Sequence, residues 1–238
     1  MNQNRAIILV VAVIALVALG YGAYLYFGKG NATPGNPALS SFERDLLEPG
    51  PLGDMSLGNP DAPVTIINYA SLTCGHCASF ENNTLPSLKE NYIDTGKVYY
   101  ILRDFPFDPI ATAGFMLAHC AGPERYFGFV GVLFRQQAQW AFTETPMENL
   151  KTIARQGGIS NEAFDVCMKD QAIFDHVKEV AQRGAKTFQV KSTPTIFING
   201  ERVEGALSWR EFEPLVQKAL EGRSIEEGSI GGTSTPAE

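Results

Sequence analysis

Cys74-Gly75-His76-Cys77 sits where an apolar, β-branched run ends and a helical pattern begins, and that junction limits the folds open to the chain. The run before it, Val64-Thr65-Ile66-Ile67-Asn68-Tyr69, predicts a buried strand. The helix predicted after it runs from Gly75 to about Tyr92, with Pro86 inside it as a kink. A cysteine that opens a helix lies among unpaired backbone N–H groups, at the positive end of the helix dipole, and both favour its thiolate. Two residues three apart on a first turn are within reach of a disulfide. Cys74 is therefore expected to be the attacking thiolate and Cys77 the resolving thiol, with a protonated His76 adding positive charge nearby.

The rest of the chain repeats this alternation. Val98-Tyr99-Tyr100-Ile101-Leu102 predicts a second buried strand and Thr195-Ile196-Phe197-Ile198 a third. Asn199-Gly200 predicts a tight hairpin that pairs Arg202-Val203-Glu204 back antiparallel. An amphipathic helix from Trp209 to Glu221 closes the pattern, and residues from Pro109 to about Val190 read as helical in four or five pieces. A β-α-β unit makes a right-handed crossover with parallel strands. The expected fold is α/β: a mixed four-stranded sheet in a domain at 57–222, with a helical insertion at about 109–190. Residues 28–56 read as a Gly- and Pro-rich linker with a short helix opening at Ser41-Phe42-Glu43, and 223–238 as a disordered tail.

The N-terminus predicts a membrane segment. Ala6 to Phe27 carries no charge, and 22 residues of helix at about 1.5 Å each span a hydrocarbon core of about 30 Å. Tyr21, Tyr24 and Tyr26 gather at one end, as an interfacial belt does. A cleavable signal has a shorter core of about 7 to 15 residues, and Ala18-Leu19-Gly20 is a poor exit site buried within the run. An uncleaved anchor at 1–27 is the expectation, and either form puts the remainder outside the cytoplasm, on the periplasmic or cell-envelope side. The net charge of −7, with no basic stripe, argues against a nucleic-acid partner.

Zinc at the cysteine pair would need about four ligands, and Cys120, Cys167, His119 and His176 stand singly, so neither a metal nor another cofactor is expected. A purely structural bridge across one helical turn would constrain almost nothing. A strand, a C-x-x-C opening a kinked helix, and a distant Ser192-Thr193-Pro194-Thr195 before a strand together resemble the thioredoxin superfamily. The helical insertion, and Gly58-Asn59-Pro60-Asp61-Ala62-Pro63-Val64 before the first strand, resemble its DsbA-like branch.

That resemblance implies a cis Pro194 facing the cysteines, with Thr193 offering backbone N–H and C=O to an extended substrate. It also agrees with a structural disulfide between Cys120 and Cys167, the alternative being a second redox centre. One position departs from the family. Many members carry a buried acid six residues before the first cysteine, where this chain has Asn68; Glu81 or water is left to assist Cys77. The expected function is a thiol:disulfide oxidoreductase that introduces disulfides into reduced, unfolded exported proteins, with a quinone-linked membrane partner reoxidising it. Phe105, Phe107 and Pro109 are candidates for an apolar docking surface. Two alternatives stand beside it: an isomerase or reductase kept reduced by a membrane electron donor, which Thr193 mildly favours, and a tethered copper-binding protein, which the absence of a Met- or His-rich tract disfavours.

Overall fold

The computed structural model describes residues 40–222. The expected anchor at 1–27, residues 28–39 of the linker and the tail at 223–238 lie outside the described residues. Among the described residues no helix is long and apolar enough to cross a membrane.

Helix α1 (Ser41–Leu47) leads to strand β1 (Met55–Leu57) and then to β2 (Val64–Ala70). A long helix, α2, follows in four consecutive pieces: Gly75–Ser79, Phe80–Thr84, Leu85–Leu88 and Lys89–Ile93. Its second and fourth pieces are wide turns, with the Leu85 N–H reaching back five residues to the Phe80 carbonyl. Pro86 has no N–H to give, and the wide turn just before it absorbs that gap. Strand β3 (Val98–Asp104) completes the crossover, parallel to β2 from Val64↔Val98 to Ala70↔Asp104.

The insertion holds α3 (Pro109–Cys120), α4 (Pro123–Arg135), α5 (Gln137–Trp140), α6 (Pro146–Gln156), α7 (Asn161–Cys167) and α8 (Gln171–Lys186). It has more pieces than the periodicity suggested, because the four-residue α5 is too short to show a period. The Cys120–Cys167 disulfide ties α3 to α7. The chain then returns to the sheet as β4 (Thr195–Ile198) and β5 (Glu201–Glu204), with Asn199 and Gly200 at positive φ in the turn between them, and ends with α9 (Trp209–Leu220).

The sheet has five strands in the order β1-β3-β2-β4-β5, not the four expected. The extra strand, β1, pairs antiparallel with β3 from Met55↔Leu102 to Leu57↔Tyr100. Three residues cannot display a period of two, so only their partner reveals them as a strand. Gly58, just after β1, has φ +91°, and a side chain there would press on the Val98 carbonyl. The residues before β1 also belong to the folded body. The buried Arg103 donates to the Leu46 and Glu48 carbonyls, to Tyr69 Oη and to both oxygens of Asp54.

Alternate residues of β2 face opposite cores. Val64, Ile66 and Ala70 pack with α2, the insertion and α9, whereas Ile67 and Tyr69 pack with Leu46, Phe188 and Phe197. His119 and His176, which sequence alone left as surface or core residues, are both buried beside Asp104. His119 Nε2 lies 2.6 Å from Asp104 Oδ2, and Tyr126 Oη donates to Asp104 Oδ1 at 2.8 Å. Ligating atoms of Asp104, His119 and His176 come within 4.8 Å of one another. The Leu52 N–H donates to His176 Nδ1, however, so this neutral ring carries its proton on Nε2.

Candidate active site

The turn after β2 is built around one sulfur. Cys74 is the N-cap of α2, in extended backbone, and its sulfur accepts the Cys77 N–H at 3.4 Å. The Cys74 thiol donates to the Thr193 carbonyl at 3.3 Å. The Thr193–Pro194 bond is cis, and the loop that carries it lies directly against the cysteine turn. Two segments 119 residues apart in sequence thus meet at a single atom.

The two thiols are driven in opposite directions. The hydrogen bond from the Cys77 thiol does most to hold Cys74 down to about 5. Half-burial opposes the fall, and the backbone N–H groups of Cys77 and His76 add to it. Cys77 is fully buried, and that burial, with the bond it gives Cys74, raises its pKa far above the usual thiol range. His76 acts here through its backbone N–H, while its side chain is exposed.

Glu81 lies one turn beyond Cys77 on α2 and is buried. Its Oε1 accepts from Tyr100 Oη at 2.7 Å and from Asn68 Nδ2 at 3.2 Å, and Asn68 Nδ2 also contacts Tyr100 Oη at 2.9 Å. Burial pushes the Glu81 carboxyl up to about 7, against the lowering effect of its two partners. The acid missing at position 68 is therefore present in the same pocket, in contact with the amide that stands there. Asn68 Oδ1 and Thr193 Oγ1 are buried here without a hydrogen-bond partner.

The insertion reaches the site by two contacts that sequence reasoning missed. Asp108 caps α3 through Ala111 N at 2.7 Å and with its other oxygen accepts the Thr73 hydroxyl at 2.6 Å. Asp108-Pro109 is readable as a helix start, but its second bond leaves no local signal. Gln137, at the start of α5, donates to the Leu72 and Cys74 carbonyls. The expected docking residues separate: Phe107 is 55% exposed and Pro109 exposed, whereas Phe105 is buried against Tyr69. Phe105 closes the sheet as a core residue because its N–H continues the strand pairing onto the Ala70 carbonyl.

The chain is similar to known proteins. The family model described as Thioredoxin matches residues 52–218. A Rickettsia typhi chain, whose name assigns it provisionally to the protein-disulfide oxidoreductases, is 33% identical over 169 residues. That match takes in 71% of this chain but only 62% of the Rickettsia chain. The crystal structure of Wolbachia pipientis α-DsbA1 superposes with a TM-score of 0.70 at 32% identity, covering 76% of this chain and 96% of that one. A structure titled protein-disulfide isomerase, from Novosphingobium aromaticivorans, follows at a TM-score of 0.63 and 25% identity, covering 70% of this chain and 97% of its own.

Proposed function

The chain belongs to the thioredoxin superfamily, in its DsbA-like branch, and we propose that its Cys74–Cys77 pair introduces disulfides into exported proteins. The observation that carries this reading is the split between the thiols: Cys74 held to about 5 and Cys77 pushed far up. A thiolate that is stable when released is a good leaving group, so a disulfide through Cys74 is readily attacked and strongly oxidising.

The reaction balances in two exchanges. A substrate thiolate attacks Cys74 Sγ of the oxidised pair, the Cys74–Cys77 bond breaks, and Cys77 leaves and takes a proton. A second substrate thiolate then attacks the substrate sulfur of the mixed disulfide. Cys74 leaves as a thiolate, the substrate has lost two electrons, and the enzyme holds a dithiol. Glu81, near 7, is placed to exchange the Cys77 proton through the Asn68 and Tyr100 group. A quinone-linked membrane partner would return the pair to the disulfide. The apolar run at residues 6–27 would hold the domain at the membrane, on its extracytoplasmic side. Phe107, exposed beyond β3, would meet an apolar stretch of substrate.

The deciding measurement is the redox state of Cys74–Cys77 in cells. A mostly oxidised pair is the expected result. A mostly reduced pair would instead make the chain an isomerase or reductase, a role that the threonine before Pro194 and the likeness to the Novosphingobium protein favour. A Cys77→Ser variant, lacking the resolving thiol, is expected to accumulate mixed disulfides at Cys74 with exported proteins, and trapping none would sink the oxidase reading.

A further inference from the structure

Gln137 lies 63 residues from Cys74 and outside every sequence motif, yet its buried carboxamide touches the active-site turn from the insertion. Its nitrogen has two hydrogens and two partners, the Leu72 carbonyl at 2.8 Å and the Cys74 carbonyl at 3.1 Å. We propose that Gln137 is a positioning residue for the Cys74 sulfur: by holding these two carbonyls it keeps the oxygen edge of the turn away from the sulfur and the N–H edge toward it.

The surroundings require such a partner. Leu72 is fully buried, so without Gln137 its carbonyl would have to find another donor, and the turn would shift to do so. The Cys74 carbonyl already accepts the Ala78 N–H at 3.0 Å. A second donor on the same oxygen polarises the Cys74–Gly75 peptide further and strengthens the N–H end that opens α2. A carboxamide does this without adding charge beside a thiolate, whereas a carboxylate at 137 would have no donor for either carbonyl and would repel the sulfur. Asp108 anchors the residue between the two carbonyls, taking the Thr73 hydroxyl at 2.6 Å, so the insertion grips the whole of the turn's entry.

The inference rests on Cys74 being an activated thiolate, and the test separates the two. In the full chain, the Cys74 thiolate is followed by ultraviolet absorbance as pH rises, and its disulfide is equilibrated with glutathione. Gln137→Met keeps the length and removes both donors. It is expected to cut the thiolate fraction about tenfold at acidic pH, moving the midpoint up about one pH unit, and to make the disulfide a weaker oxidant. Gln137→Glu should move it further in the same direction. Asn149→Ala removes bonds to Gln139 and Thr143 without touching the turn, and is expected to leave the midpoint where it is. If Gln137→Met does not fold, Gln137→Asn, one methylene too short to reach both carbonyls, carries the same expectation. Wild-type midpoints in the Gln137 variants would overturn the proposal while leaving the activated thiolate intact. An ordinary midpoint in the wild type would overturn the activated thiolate itself.

Discussion

Burial makes the charge of Glu81 costly to the fold. Its folded pKa of about 7 lies above the unfolded value, so between roughly pH 4.5 and 7 the folded chain binds more protons than the unfolded one. Its contribution is fully present below that window and is lost as pH rises through it, by about 3 kcal/mol in all. Glu81→Gln is therefore expected to be the more stable protein at pH 8, by urea denaturation, with the advantage vanishing near pH 4.5. The same substitution removes the proposed proton exchanger, so the rate at which a substrate thiolate opens the Cys74–Cys77 disulfide should fall and lose its inflection near pH 7 in stopped-flow exchange. Cys74 and Cys77 were legible in sequence because the whole argument for them is local, a strand end and one helical turn. Glu81 could only be offered as one option, because its pairing with Asn68 and Tyr100 spans 13 and 19 residues. Gln137 could not be found at all, since glutamine between two helical patterns is unremarked surface until the chain folds over it.

The elements divide by how much each depends on partners. The disulfide between α3 and α7 closes 47 residues, which in the chain-entropy model is worth about 4 kcal/mol. A Cys120→Ala/Cys167→Ala variant should lose stability on that scale in thermal denaturation while the Cys74 thiolate midpoint stays put. A shift of that midpoint would mean that the bridge acts on the site. Strand β1 depends on Gly58, whose φ of +91° and Cβ direction toward the Val98 carbonyl exclude a side chain. Gly58→Ala is expected to cost about 2 kcal/mol or more, and hydrogen exchange should show the β1 amides losing protection first. Strands β2, β3 and β4 carried their own signal, being buried on both faces and rich in branched residues. β1 carried none, and its pairing with β3 is a tertiary fact.

Across the whole molecule, two buried groups pull the acid response in opposite directions. Burial holds His176 below its ordinary value, and a proton on its Nδ1 would confront the Leu52 N–H. The unfolded chain thus binds the extra proton first, and stability from this group falls as pH drops below about 6.5. Over the same window Glu81 favours the folded state as pH drops. Between roughly pH 4.5 and 6.5, relative to the wild type, Glu81→Gln should therefore lose stability on acidification and His176→Gln should gain it; parallel profiles for all three would refute the coupling to either group. The order of elements showed the α/β class and the insertion, because periodicity and turn residues are written along the chain. The grip of that insertion on the cysteine turn was not written there, because it belongs to surfaces that meet only in three dimensions. The sheet's margins have a last consequence for a protein whose proposed clients are unfolded. One border is a strand of three residues between glycines at positive φ, the other four residues carrying Glu201, Arg202 and Glu204. Neither gives a loose polypeptide much length on which to pair, so the proposed clients would be held beside Cys74 rather than along the borders of the sheet.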